Sequence, residues 1–472
     1  MSGLFTALGQ SAMALGVQTQ QIQIAGKNLA NVDNPNYARQ KVVFGSPGTV
    51  ETPQGAQELG LVVQSIQSIR DPLLDAQVVR EGGLTASYSA QQDALQKAQA
   101  DLGQTVDGAS STDTSSTSAT SQGIGADITS LFNSFSSLAA NPTDSGTRAT
   151  LIANAQTLTD QMNSVDSNLS QLQTDLTTQT TDDVASANSL LKQIADLNSQ
   201  IGRAEINNPG SAVDLRDQRQ AALESLSQKI AITSTNDPTN PAEITVTAQD
   251  SSGNPVTLVN KTTVNALTFN GTTVSGGSPS TAIDLAGGSI QGNLTARDGA
   301  VQTLRDNLDS LADQLVTSVN SAYNPTGTTG NFFDPTKTTA GTITVLSTVT
   351  AANLKASDGG AAGDNTIAAA VSALSTKKFS TAGSDSIDGT FTDSYASTVA
   401  TFGQSLSSVN EAVTDQTNVQ SLVTSQRQGV SGVSLDEEMT NLMTYQRSYE
   451  ASSRVITVIN ELLQNLVNLG KN

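Results

Sequence analysis

The residues best equipped for chemistry are carboxylates, and the densest cluster beside an apolar pattern is Asp436-Glu437-Glu438. A carboxylate pair can hydrolyse a glycoside without histidine. Three acids at a helix start also answer the positive end of its dipole, and Leu435 enters an apolar seam at the same place. The cap is the simpler account. Phosphate loops fail on spacing: Gly26-Lys27 has Gln21 where the first glycine belongs and Asn28 where the hydroxyl belongs. Gly123-Ile124-Gly125 meets Ile128 at its third glycine position. A calcium loop around Asp388-Gly389 would put Ser384 and Ser386 at liganding positions and Tyr395 where the bidentate glutamate belongs. Cys and His are absent from all 472 residues, which removes Cys/His zinc sites, Ser-His-Asp triads, thiol nucleophiles and disulfides. The expectation is no catalytic residue, no metal and no cofactor.

Twenty-three basic against 43 acidic side chains give a charge of −20, which disfavours nucleic acid and anionic membrane as partners. Aromatics make up 3% and Trp is missing, so no base-stacking platform is expected. No apolar run approaches the roughly 18 residues of a membrane span, and the first basic residue, Lys27, comes too late for a signal-peptide start. The chain reads as soluble, or as exported without a cleaved signal.

The elements that must position everything else are helical. Met1, Leu8, Leu15, Ile22 and Leu29 recur every seven residues, flanked by Leu4, Phe5, Ala12 and Ala25. At the other end Leu435, Leu442, Tyr445, Tyr449, Ile456, Ile459, Leu463 and Leu466 follow spacings near three and four, interrupted at Glu438 and Ser452. Such a/d spacing predicts paired coiled-coil helices. Residues 1–26 carry no charge, and between Val455 and Gly470 the one charge is Glu461. Faces of Gln, Ser and Asn suit helices with protein on several sides, so both ends read as an assembly interface. Gly3, Gly9, Gly16 and Gly26 each cost about 0.8–1 kcal/mol in a helix interior, so packing must supply the order.

Three internal stripes predict a helical bundle. One runs Leu158, Met162, Val165, Leu169, Leu172 and Leu176; it breaks at Thr180 and Asp183 and resumes at Ala187, Leu190, Ile194, Leu197 and Ile201. The others are Val301, Leu304, Leu308, Leu311, Leu315, and Tyr395, Val399, Phe402, Leu406, Val409, Val413. Between Thr235 and Leu294 the period changes to alternation with turn signals at Ser251–Asn254, Asn270-Gly271 and Gly287-Gly288, which predicts an inserted antiparallel β-domain. Ile343–Val349 is a smaller strand candidate, a local hairpin or second insert. Ten of the fifteen residues from Gly108 to Gln122 are Ser or Thr, a composition for a flexible loop. The fold class expected is mainly α with an inserted β-domain in an elongated chain. Its domains are a terminal coiled coil (1–45 and 432–472), a bundle (46–234 and 295–431, with the small strand region 330–350) and a β insertion (235–294).

The most informative run is Asn28-Leu29-Ala30-Asn31-Val32-Asp33-Asn34-Pro35-Asn36-Tyr37, a helix end followed by turn chemistry, after which Gln40–Phe44 alternates like a strand. Asn28, Ala30, Asn31 and Tyr37 in this setting resemble the N-terminal signature of bacterial flagellar rod, hook and hook-associated proteins. Gly432-Val433-Ser434-Leu435-Asp436-Glu437-Glu438, with Tyr445-Gln446 and the apolar tail, resembles the C-terminal block of the hook-associated branch that joins hook to filament. Phe132, Phe135, Leu138, Pro142 and Arg148, the run Asp214–Arg219, and Gly330–Asp334 are similar to that branch too. Asn36 departs from the Gly usual before Tyr37; Asn tolerates positive φ, so the corner is expected to survive.

The resemblance implies a non-catalytic flagellar structural protein with paired terminal helices lining a tube, exported unfolded by the flagellar type III route. It implies a self-associated ring, hook protein, a second junction protein leading to the flagellin filament, and an export chaperone as partners, with no nucleic acid and no membrane insertion. It places the protein outside the cell at the hook–filament junction. Another axial protein (hook or distal rod), a secreted adhesin and a carboxylate-based peptidoglycan hydrolase are the alternatives.

Overall fold

The computed structural model describes residues 2–46, 48–52, 55–58, 60–103, 123–327, 330–359 and 363–469. Met1 and the Ser/Thr-rich run 108–122 therefore lie outside the described residues. In chain order the elements are α1 (Ser2–Ala30), β1 (Gln40–Gly45), β2 (Thr49–Thr52), β3 (Gly55–Glu58), β4 (Val62–Ser68), α2 (Pro72–Asp101), α3 (Ile124–Ala140), α4 (Ser145–Ala204) and α5 (Val213–Ser227). Then come β5 (Thr233–Asn236), β6 (Ile244–Gln249), β7 (Pro255–Asn260), β8 (Thr263–Val264), β9 (Thr268–Phe269), β10 (Val274–Gly276) and β11 (Thr281–Ala282). Last are α6 (Ser289–Thr295), a π-turn (Ala296–Val301), α7 (Gln302–Tyr323), α8 (Thr366–Ala373), α9 (Phe391–Ser431) and α10 (Leu435–Leu469).

The chain forms two compact units, one of Met1–Thr85, Val184–Gly288 and Gln416–Asn472, the other of Ala86–Asp183 and Ser289–Asp415. These boundaries differ from those expected: the β strands group with the terminal helices, and helix α6 already begins at Ser289 inside the expected insertion. The reason lies on α4. Its stripe is polar at Thr180 and Asp183, both buried, and the second unit ends at that point. Thr180 returns its hydroxyl to the Leu176 carbonyl, and Asp183 accepts the Ser289 hydroxyl at 2.5 Å.

In the second unit the expected stripes meet in one core. Leu158 through Leu176 on α4 run antiparallel to Leu304 through Leu315 on α7, with Gln173 bonded to Gln302 and Asp166 to Arg305. Tyr395, Val399, Phe402 and Leu406 of α9 join them. The chain's few aromatics concentrate here: Phe332 packs edge-on to Phe333 at 4.9 Å and to Phe135 at 5.2 Å. Buried Asn320 clamps that turn, accepting from the Phe332 and Phe333 amides and donating to the Phe333 carbonyl. Where Ile343–Val349 suggested a hairpin, a single bridge joins Phe333 to Val345. The backbone there is taken up in turns around Asp334 and Thr339 instead.

In the first unit β5-β6-β7-β8 form an antiparallel sheet and β11-β10-β9 a smaller one. Ile244, Val246 and Ala248 alternate into the core as expected. The end of α4 holds the strands through two asparagines. Asn188 exchanges bonds with the Leu267 backbone, and buried Asn198 binds the backbone of Ile244 and Lys261 while accepting from Arg219. On α4 Leu191, not Leu190, is the fully buried residue, a slip of one position against the expected stripe.

Gly288 closes this unit. Its φ is +87°, its N–H donates to Gly83 O at 2.8 Å, and a Cβ there would meet Lys229 backbone atoms at 2.4 Å. Gly288→Ala should lower stability by about 2 kcal/mol or more, strain and overlap acting together. Urea unfolding tests this through the midpoint of the transition that reports the unit. An unchanged midpoint would show that the junction relaxes freely.

Candidate assembly site

Asn28 lies in the last turn of α1 and is 1% exposed. A buried side-chain amide must fill two donor and two acceptor positions or forfeit their hydration. All four are filled. Nδ2 donates to Gln40 O at 2.9 Å and Glu438 Oε2 at 3.0 Å; Oδ1 accepts from Gln40 N at 3.0 Å and the Tyr37 hydroxyl at 2.8 Å. One side chain thus joins α1, the start of β1 and the first turn of α10.

Charge closes around this amide. Arg39 donates to Glu438 at 2.8 Å and, with both terminal nitrogens, to Glu437; its backbone N–H reaches Ser431 O. Lys27 contacts Asp214 at 2.6 Å, and Gln40 donates to the same carboxylate. Arg70 binds Asp75, Asp217 and the Asn36 carbonyl, while Arg427 pairs with Glu224 and Asp75. Asn31 donates back to Lys27 O and holds the turn with Asn34. The corner needs no positive φ at Asn36: its amide closes a turn on Asn34 Oδ1, and among the described residues the non-glycine positive φ angles are at Lys261 and Ser384. The corner survives at Asn36 without the positive φ that Asn would tolerate.

Electrostatics follow the packing. Burial, then the Asp217, Asp214 and Glu438 charges, push the Tyr37 hydroxyl well above its usual value, so it stays a donor to Asn28. Burial raises Asp75 and Asp217 despite Arg70. Burial also works on Asp214, but Lys27 and Gln40 outweigh it and hold the carboxylate low. The signs oppose: Asp214 stabilises the fold above the usual carboxylate range and loses this on acidification, whereas Asp75 and Asp217 cost stability there and return it.

From the corner α1 and α10 run antiparallel, since Asn28 meets Glu438 and Gln18 Nε2 donates to Ser452 Oγ at 3.1 Å. The two expected interruptions, Glu438 and Ser452, are therefore the polar contacts that set the register. On α1 the deepest residues are Val17, Ile24, Ala25 and Asn28, while Leu8, Leu15, Ile22 and Leu29 lie half-buried beside them. On α10 Ile459 is buried and Leu442, Tyr445, Ile456 and Leu463 are half-buried. Leu435, Tyr449 and Leu466 are 46%, 40% and 42% exposed, on faces the chain itself leaves open. Ala30 and Asp436 are exposed, and the Asp436 carboxylate has no partner among the described residues. Arg39, Gln40, Arg70, Asp214 and Asp217 were not singled out as site residues. Their signal was available: Lys27 and Arg39 are the first basic residues of a charge-poor chain, and Asp214 and Asp217 fall in one acidic–basic run.

Comparison with known proteins bears on this arrangement. The family model described as the flagellar hook-associated protein FlgK helical domain matches residues 109–333. That of the flagellar basal body rod FlgEFG protein C-terminal region matches residues 425–469. Flagellar hook-associated protein 1 of Bacillus subtilis (strain 168) is 25% identical over 521 aligned positions, covering 99% of each chain. The Salmonella typhimurium protein of that name is 41% identical over 80 residues, which is 17% of this chain and 14% of that one. A solved structure of the flagellar hook junction protein FlgK from Burkholderia pseudomallei aligns with a TM-score of 0.44 and 25% identity, covering 52% of this chain and 43% of that one.

The amide cluster yields a test with two variants. Asn28→Leu removes the partner of Glu438 Oε2, of the Tyr37 hydroxyl and of the Gln40 backbone, and should cost about 2–3 kcal/mol at any pH. Asn28→Asp sets a second carboxylate against Glu438, and one of the pair must then titrate above its unfolded value. Its penalty should be full at neutral pH and shrink as pH falls through the usual carboxylate range. Melting curves of both variants against pH check this; parallel pH profiles would contradict the contact.

Proposed function

We propose that this chain, a member of the flagellar hook-associated protein 1 family, is a non-catalytic structural protein of the flagellum that joins the hook to the filament. The observation that carries the reading is the α1–α10 pair, locked in register at one end. On α10 the side chains of Leu435, Met439, Met443, Val455, Val458, Leu462 and Leu466 stay exposed. After Arg454 the helix carries one charge, Glu461, so the large apolar side chains exposed there form a surface made to be covered. Similarity along the full length of the Bacillus subtilis protein supports the same reading.

On this account copies of the chain associate into a ring on the hook, the terminal helices facing inward and buried against neighbours. The ring meets hook protein on one side; on the other it meets a second junction protein and, through it, the flagellin filament. The chain reaches this extracellular position unfolded, escorted by an export chaperone through the flagellar type III route. The absence of Cys suits that passage.

Cells lacking the chain should carry intact hooks without filaments and release flagellin into the medium. Leu466→Asp places a charge on a residue already exposed in the free chain, so melting should hardly change. In the ring the same charge would be buried without a partner and cost several kcal/mol at each repeat. Filament attachment should therefore fail in cells that secrete this variant at the parent level. Normal filaments on such cells would remove the open face of α10 from the assembly.

A further inference from the structure

The segment from Gln40 to Ser68 is one hairpin. β1 pairs with β4 from Gln40↔Ser68 to Gly45↔Val62, with one slip at Val43/Phe44, and β2 pairs with β3 from Thr49↔Glu58 to Thr52↔Gly55 in continuous register. The arm lies along α1 at its base, where a Cβ on Gly60 would be 3.2 Å from Met13 Sδ and 3.5 Å from Gln10 Cα. Beyond Gly60, β2 and β3 pair with each other as a two-stranded sheet. Thr49, Glu51 and Gly55 are exposed there. An isolated two-stranded ribbon is marginal in water, and its outer edges present unpaired backbone groups ready to template another strand.

We propose that this end of the arm pairs edge to edge with the same end of a neighbouring copy, β2 of one against β3 of the next. The inference rests on the reading that copies self-associate, and adds the contact they make. A ribbon has two unlike edges, so copies standing side by side and pointing the same way bring β2 against β3 antiparallel, as within the arm. Such a contact is heterologous and repeats around a ring without using itself up. It also continues the α1–α10 surface, because the arm runs beside α1.

The register says which residues act. Only two residues separate Thr52 from Gly55, so that pair is the hydrogen-bonded kind, and alternation makes Val50↔Gln57 the same. Glu51 and Ala56 therefore turn their backbone N–H and C=O outward, one to each edge. A proline at either position removes an outward donor and breaks no bond inside the arm.

The absence of cysteine makes the test direct. Cells would secrete Glu51→Cys and Ala56→Cys chains together, and isolated hooks would be treated with a short thiol–thiol crosslinker. The expected product is a dimer containing one chain of each kind, at least tenfold above dimers of either kind alone. Glu51→Pro and Ala56→Pro should each lower the amount of chain retained per hook at least tenfold, with the melting of the free chain unchanged. Chains retained at hooks but crosslinked only like to like, to another protein, or not at all would overturn the edge pairing and leave the self-association reading intact. Parent chain absent from isolated hooks would overturn both.

Discussion

Asn28 offers two donors and two acceptor sites at the buried end of a helix, and three residues from two separate segments fill them. The arrangement tolerates little variation, because each vacancy leaves a buried polar atom unpaired. It fixes where α1 stops, where β1 leaves, and which turn of α10 arrives. The same device recurs at Asn198, which clamps the β6 and β7 ends to α4, and at Asn320, which clamps the Phe332-Phe333 turn. In each case a helical amide satisfies the backbone of a passing non-helical segment. A chain poor in charge and aromatics thus fixes its irregular segments with neutral amides.

Charges are spent where register matters. Lys27, Arg39, Arg70 and Arg427 all sit around the corner, and each pairs with acids from distant segments. Along the rest of α1 and, Glu461 apart, the tail of α10 the polar residues are Gln, Ser, Thr and Asn. Neutral faces pay less to lose water than charged ones, so the pair can be buried on most sides at little desolvation cost. One end is specific and the other is adaptable. That division suits a subunit which must keep its own fold while meeting different neighbours above and below.

The internal stripes were legible because helical period and burial are one signal: Leu158–Leu176, Val301–Leu315 and Tyr395–Leu406 went to the core as read. Leu190 against Leu191 marks the resolution of that signal, one residue in a long helix. The terminal seam was harder. The seven-residue period picked Leu8, Leu15 and Ile22, whereas burial favours Val17, Ile24 and Ala25 beside them. Glu438 and Ser452 looked like defects because an apolar period cannot register a hydrogen bond to a residue four hundred positions away. Most of the arm escaped notice for a related reason. Gln40–Phe44 alternates, but the return strand carries Gly, Gln and Ser, and its pairing rests on register rather than side-chain pattern.

Hydrogen exchange on α1 and α10, free and bound to hooks, tests the central claim most directly, because exchange reports local opening along one helix. The account predicts a gradient in the free chain. Amides near Asn28 and Glu438 should be protected, and protection should fall toward Ser2 and Leu469. On hooks the gradient should vanish as the distal turns become protected. Fast exchange at Ala25–Asn28 in the free chain, or distal turns that exchange as fast on hooks as off them, would contradict a register-locked pair completed by assembly.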